Sequence, residues 1–163
     1  MEIRKFKKTD WGLIWPIIKP VFRGGETYPY APNISEKDAY TAWIEAPKGT
    51  FICIDTGNEI LGTYYIKANQ AELGSHVCNC GYIVAESARG KGIATKLCEH
   101  SQQIAKELGF RAMQYNLVVT SNTGAIHLWT KMGFETVGTL PKAFKSKSLG
   151  YVDALVMYKE LVK

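Results

Sequence analysis

The segment GYIVAESARGKGIATKL, residues 81–97, constrains this chain more than any other stretch. An apolar strand runs into a turn carrying Gly90, Gly92 and two cations, Arg89 and Lys91, and then directly into a long helical pattern. The first amides of a helix have no partner inside it and carry the positive end of its dipole, so such a turn is built to hold an anion. Glycines at this point let the backbone approach that anion closely. The segment is not a GxxxxGK[ST] loop, and a GxGxxG fingerprint would need glycine where Thr95 stands. Both common nucleotide motifs are therefore absent, and a strand-to-helix turn without any ligand stays open on this segment alone.

The rest of the chain alternates between the two periodicities. Residues 2–6 read as a strand, and Thr9 or Asp10 can cap a helix with Trp11, Ile14, Trp15 and Ile18 at helical spacing, short or kinked because of Pro16 and Pro20. Residues 24–33, with two Gly, two Pro and two Tyr, predict an ordered, exposed loop. Ser35 and Asp38 resemble a capping pair for a helix through Tyr40, Trp43 and Ile44 that ends before Pro47. Runs at 50–55 and 59–68 predict a hairpin, followed by a strand at 76–84. The helix starting at Gly90 or Lys91 stops at Gly109, and 111–119 reads as a buried strand. Ser121 or Asn122 opens the last helix, which ends at Gly133, and strands at 134–137 and 151–158 flank a basic loop of 138–150. The order β, α, α, β, β, β, α, β, α, β, β predicts a mixed α/β fold, α+β-like in its largely antiparallel pairing, with helices covering one sheet.

At 163 residues and 46% apolar composition the chain suits a single domain, residues 1–163, with a substantial core. No apolar run approaches the roughly 18 residues of a membrane span, and the start MEIRKFKKTDW lacks the apolar stretch of a secretory signal, so a cytoplasmic location without membrane contact is expected. The net charge of +5 favours an anionic partner, but the basic residues are dispersed, and a nucleic-acid role would rest on charge alone. Cys53, Cys78, Cys80 and Cys98 form no CxxC pair, and their spacing with His76 and His100 fits no common metal site. Reduced, buried thiols and no bound metal are the expectation, with Cys78 and Cys80 on one strand face.

Arg89, Gly92 and Ala94 resemble the [QR]xxGx[GA] pyrophosphate loop of the GNAT acetyltransferase superfamily. Asn122, Ala125, Trp129, Gly133 and Phe134 resemble its second signature, NxxAxxxYxxxGF, at the same spacing. The resemblance implies a GNAT-type domain whose central twisted sheet has about seven strands, splayed between the fourth and fifth, with about four flanking helices. It implies acetyl-CoA as cofactor. Main-chain groups of Tyr82, Ile83 and Val84 would pair with the pantetheine arm, the turn of Arg89, Gly90, Lys91, Gly92, Ile93, Ala94 and Thr95 would hold the pyrophosphate, and Asn122 would touch the cofactor from the next helix. On chemistry alone Asn122 reads equally as a helix cap. Trp129 stands where the family's tyrosine would protonate the departing thiolate, and an indole cannot serve as that acid. Packing in the core is its plainer role; either water or a nearby tyrosine then supplies the proton, or none is needed, because a thiol with a pKa of about 8.5 leaves readily as thiolate near neutral pH.

Further segments, ETYP at 26–29, GTYYIKAN at 62–69, SHVCNCGY at 75–82 and YNLVVTSN at 115–122, resemble the proline-analogue branch, which acetylates L-azetidine-2-carboxylate and related cyclic imino acids. That likeness places Asn79 and Asn116 on the branch's two functional asparagines, while the shorter chain and a different 138–150 segment separate this protein from fungal members. Asparagine has low strand propensity and a buried amide must be bonded, so both positions require an explanation. An amide does not titrate and would orient the amine rather than deprotonate it. Glu26 is a candidate base or ammonium anchor, with a surface acid as the alternative, and Tyr28, Tyr30, Tyr64 and Phe144 are candidate walls of an acceptor pocket. His76 and His127 read as structural. The expected activity is N-acetylation of a small-molecule amine by direct attack, with a homodimer compatible. Acetylation of a peptide or protein and a non-catalytic acyl-CoA-binding regulator are the competing readings.

Overall fold

The computed structural model describes residues 1–162 and is built on one sheet of seven strands in the order β1-β2-β3-β4-β5-β7-β6. The strands are β1 (Glu2–Lys5), β2 (Gly49–Ile54), β3 (Ile60–Ala68), β4 (Val77–Val84), β5 (Ala112–Val119), β6 (Glu135–Ser146) and β7 (Gly150–Glu160). The helices are α1 (Trp11–Gly24), α2 (Glu36–Tyr40, widening into a π-helical turn over Thr41–Glu45), α3 (Ile93–Glu107) and α4 (Thr123–Lys131). All neighbours are antiparallel except β4 and β5, which are parallel and pair only at Val77 with Ala112 and Cys78 with Met113. Beyond Cys78 the two strands part. The splayed, mostly antiparallel sheet with four helices is the architecture that the family resemblance implies.

Alternation along the strands divides the core in two. Tyr64, Ile66, Cys78, Cys80, Met113 and Tyr115 pack beneath α3 and α4, with Leu97, Cys98 and Trp129. Ile52, Tyr65 and Ile83 face the other way, beneath α1 and α2, with Ile14, Ile18, Phe22 and Trp43. Cys78 and Cys80 thus share a face, and all four cysteines are buried and free.

Three local readings change. Both prolines lie inside α1, which continues from Trp11 to Gly24; Pro16 and Pro20 sit on its exposed side, where the carbonyls they leave without an i+4 donor face water rather than core. Helix α3 starts at Ile93, not at Gly90 or Lys91, because Gly90 and Gly92 hold φ of 74° and 75°, outside the right-handed helical region. Residues 138–146 are strand rather than loop. β6 carries register shifts between Thr136 and Gly138 and between Leu140 and Phe144, and the second absorbs Pro141 on an edge strand where its missing N–H breaks no inner ladder. Only 147–149 remain as the turn to β7.

The stops of α3 and α4 follow one pattern. Gly109 and Gly133 have φ of 85° and 87°, and the phenylalanine after each donates its amide back into the helix: Phe110 to Ala105 and Phe134 to Trp129. These are Schellman endings, with the phenylalanine buried in the core. The second ending fixes α4 over the diverging strands, with Trp129 centred 5.0 Å from Tyr82 of β4 and 4.9 Å from Tyr115 of β5.

Candidate active site

The turn from β4 to α3 leaves a run of donors open. Among the described residues, no main-chain or side-chain acceptor takes the amide protons of Gly90, Lys91, Gly92, Ile93, Ala94 or Thr95, and the first internal bond is from Lys96 N to Gly92 O. Helix α4, by contrast, is closed by its own residue, Asn122 Oδ1 accepting from Ala125 N at 3.2 Å. The two left-handed glycines curl the α3 turn so that successive N–H groups converge, and a Cβ added at either would meet nothing within 4 Å. The turn is therefore open at both glycines. Arg89 and Lys91 are exposed beside it, and α3 has no acid in its first turn to neutralise them. A cleft of about 610 Å³ reaches this turn, lined by Val84, Ala85, Glu86, Ser87 and Arg89 on one side and by Pro16, Ile17, Pro20 and Val21 of α1 on the other. The arrangement fits a diphosphate group.

The next surface is the edge of β4 that faces away from β3. Ala85 N donates to Leu61 O and Asn69 N to Val77 O, and with the register of Gly62 against Val84 this commits the odd-numbered residues of β4 to the β3 ladder. Ile83 is one of them, opposite Thr63. Its main chain is thus tied up in the sheet, which removes it from the expected set of pantetheine contacts. Tyr82 and Val84 lie opposite Tyr64 and Gly62 in non-bonded pairs, so their N–H and C=O groups point into the gap toward β5. One of them, the Tyr82 carbonyl, accepts the Tyr28 hydroxyl at 2.8 Å.

The two asparagines occupy different environments at the mouth of this gap. Asn79 is buried, 7% exposed, and its side chain is bonded at both ends: Nδ2 donates to Gln114 O at 2.9 Å and Oδ1 accepts from the Tyr65 hydroxyl at 3.3 Å. Because the backbone ladder ends one residue earlier, the Asn79 amide replaces its next rung and marks where the strands separate. Asn116 is exposed and lies where β5 breaks its register with β7, between Tyr115 and Val118. Its Oδ1 accepts from Gln114 Nε2 at 2.9 Å and its Nδ2 donates to Asn69 Oδ1 at 2.6 Å. Gln114 and Asn69, which the sequence does not single out, join it in a chain of three amides on the α1 and α2 face.

Two other expected positions move. Tyr64 lies on the α3 face, stacked on Phe51 at 5.0 Å, with its hydroxyl 2.8 Å from His100 Nδ1; it is core, not acceptor wall. Burial holds the His100 pKa below its usual value. Glu26 is engaged by the turn after β6. Its Oε2 accepts from Ser146 Oγ at 2.5 Å and its Oε1 from Ser148 N at 2.9 Å, and the Ser146 bond above all holds its carboxyl below the usual range. A carboxylate kept ionised in this way is a weak base. Tyr28 and Tyr30 stack at 6.1 Å in the expected loop, and burial keeps the Tyr28 hydroxyl a neutral donor.

The acetyltransferase (GNAT) family model matches residues 17–134, the span holding the amide turn, the splayed strands and α4. The chain belongs to the GNAT acetyltransferase family. It is 37% identical over 148 residues to the N-acetyltransferase aca1 of Schizosaccharomyces pombe, covering 81% of this chain and 71% of that one. The structure of a GCN5-related N-acetyltransferase from Kribbella flavida superposes with a TM-score of 0.92 at 34% identity, covering 98% and 96% of the two chains. A phosphinothricin acetyltransferase from Sinorhizobium meliloti, solved in complex with AcCoA, shares the fold at a TM-score of 0.86 and 20% identity, covering 99% of this chain and 88% of that one. The protein is thus an acetyltransferase.

Proposed function

We propose that this acetyltransferase moves the acetyl group to the amine of a small molecule, a proline-like imino acid or an amino-acid analogue being the favoured class, by direct attack with both substrates bound. The observation that carries the reading is the run of unpartnered amides from Gly90 to Thr95 beside a β4 edge whose Tyr82 and Val84 groups face an open gap. Acetyl-CoA supplies a thioester whose carbonyl carbon takes the amine and whose thiol leaves. The Gly90 to Thr95 amides would hold the diphosphate, with Arg89 and Lys91 adding charge. Val84 N–H and C=O would bond the pantetheine arm in the manner of an added strand, and Tyr82 N–H, farther along β4 from the diphosphate turn, would donate to the thioester carbonyl oxygen. Asn122 caps α4 with Oδ1 and keeps Nδ2 for the cofactor. Asn116, exposed in its amide chain, orients the acceptor. Asn79, already bonded twice, sets the separation of the strands. Trp129 is packed as core and supplies no acid; a thiol with a pKa of about 8.5 can depart as thiolate near neutral pH, and the proton released by the acylated nitrogen passes through water to solvent or to that sulfur.

A small acceptor is favoured over a peptide because the loop bearing Tyr28 and Tyr30 is fastened across to the turn after β6, narrowing the approach from the α1 and α2 side. Calorimetry with coenzyme A, followed by a thiol-release assay on imino acids, amino acids, polyamines and peptides, tests the reading. Binding with turnover of imino or amino acids is expected. Turnover of peptides alone would remove the small-molecule assignment, and binding without any turnover would favour an acyl-CoA-binding regulator.

A further inference from the structure

The contacts of Glu26 join two segments that the chain separates by 120 residues or more. On one side is the loop after α1, and on the other the turn between β6 and β7. Three bonds hold them: Ser146 Oγ to Glu26 Oε2, Ser148 N to Glu26 Oε1, and Lys147 N to Gly25 O at 3.0 Å. The approach is close enough to need a glycine. Gly25 holds φ of 65°, and a Cβ there would lie 3.2 Å from the Lys147 Cβ. Ser146 is itself buried, 2% exposed, and also accepts from Leu149 N, so the turn presents an ordered donor pair to the carboxylate.

The consequence lies two residues along. Tyr28 follows Glu26 in the same loop, stacks on Tyr30, and places its hydroxyl on the Tyr82 carbonyl in the gap between β4 and β5. We infer that Glu26 is a positioning residue: as a clasp between the loop after α1 and the β6–β7 turn, it holds Tyr28 against Tyr82 and so builds the acceptor-side wall of the cleft. The inference rests on the acetyltransferase reading for what the wall binds, but the clasp itself stands on these contacts. Its effect should fall on the acceptor more than on the diphosphate, because among the described residues no clasp contact reaches the amide turn at residues 90–95, and the Tyr28 hydroxyl takes the Tyr82 carbonyl and leaves the Tyr82 N–H free. Lowering of the carboxyl pKa by the Ser146 bond agrees with a permanently charged fastener.

The test compares the full-length protein with Glu26→Ala, Glu26→Gln and Ser146→Ala. With L-azetidine-2-carboxylate as the acceptor probe, Glu26→Ala should raise its KM about tenfold while kcat falls less, and coenzyme A affinity by calorimetry should stay within about twofold. Ser146→Ala should weaken the acceptor in the same direction, and the double variant should add little to the larger single effect. Glu26→Gln keeps the shape of the side chain and one acceptor oxygen, and should recover part of the loss. Hydrogen exchange needs no turnover: Glu26→Ala should speed exchange in residues 25–30 and 147–149 together and leave 90–95 unchanged. Unchanged exchange in both segments would overturn the clasp, as would a loss confined to kcat with disappearance of an acidic limb in its pH profile, which is the signature of a base. A wild-type protein that does not acetylate the probe would count against the proposed substrate class, while the exchange result would still decide the clasp.

Discussion

Replacing Asn79 distinguishes a residue that shapes the cleft from one that touches substrate. In Asn79→Ala the Gln114 carbonyl loses its donor and the Tyr65 hydroxyl its acceptor, at a buried position beside the point where β4 and β5 part. Each lost bond is worth about 1 kcal/mol, and leaving a buried partner unsatisfied adds about 1–3 kcal/mol where water cannot reach it. The Tyr65 hydroxyl cannot simply turn to solvent, because its ring is packed at 4.8 Å against Trp43 and lies over Gly81, where an added Cβ would come within 2.5 Å of it. The expected destabilisation is therefore about 3–5 kcal/mol, and at about 2–4 °C per kcal/mol for a chain of this size the melting temperature should fall by on the order of 10 °C. Urea unfolding followed by tryptophan fluorescence measures it. Tyr65→Phe removes one of the two bonds alone, so the pair in a double-mutant cycle should show coupling of about 1 kcal/mol. If Asn79→Ala unfolds within about 0.5 kcal/mol of wild type and shows no coupling to Tyr65, the rung argument is wrong. A fall in kcat at unchanged stability would return Asn79 to the substrate.

Three further outcomes follow from the same geometry. Asn116→Ala, at an exposed site, should depress turnover by at least about tenfold while coenzyme A affinity stays nearly intact; an unchanged rate in the thiol-release assay would leave Asn116 structural. Gly92→Ala meets no neighbour, so its cost is purely conformational, about 1–2 kcal/mol of stability from φ of 75°, and calorimetry should show weaker coenzyme A binding as the amides turn away; full affinity would remove the diphosphate assignment. His100 has a folded pKa below its ordinary 6.5 because burial disfavours the charged ring, so the unfolded chain takes up the proton first. Its contribution to stability is then complete above the unfolded pKa and lost as pH falls through the folded one; urea midpoints from pH 8 to 5 should decline less steeply in His100→Gln, and parallel slopes would exclude it.

The residues that speak for themselves in the sequence are those whose signal is local. A left-handed glycine, a capping asparagine and helical spacing each act within a few residues, which is why the amide turn, the stops at Gly109 and Gly133 and the element order were all legible. The 138–146 segment departs from its local signal for a related reason. Lysines and Pro141 resemble a loop locally, and only pairing with β7, with its two register shifts, makes them an edge strand. The face a side chain takes is likewise decided by neighbours. Tyr64 and Tyr65 differ by one position, yet one packs under α3 and the other over Gly81, and nothing in the residues themselves says which.

The anion cradle and the family were thus written in the sequence, because backbone conformation at glycines and helix ends is set by short-range sterics and hydrogen bonding. The exclusion of Ile83, the Asn79 rung, the Asn69–Asn116–Gln114 chain and the Glu26 clasp were decided only when distant segments met. Register fixes which amides of a strand remain free, and a carboxylate finds its donors 120 residues away only through the fold.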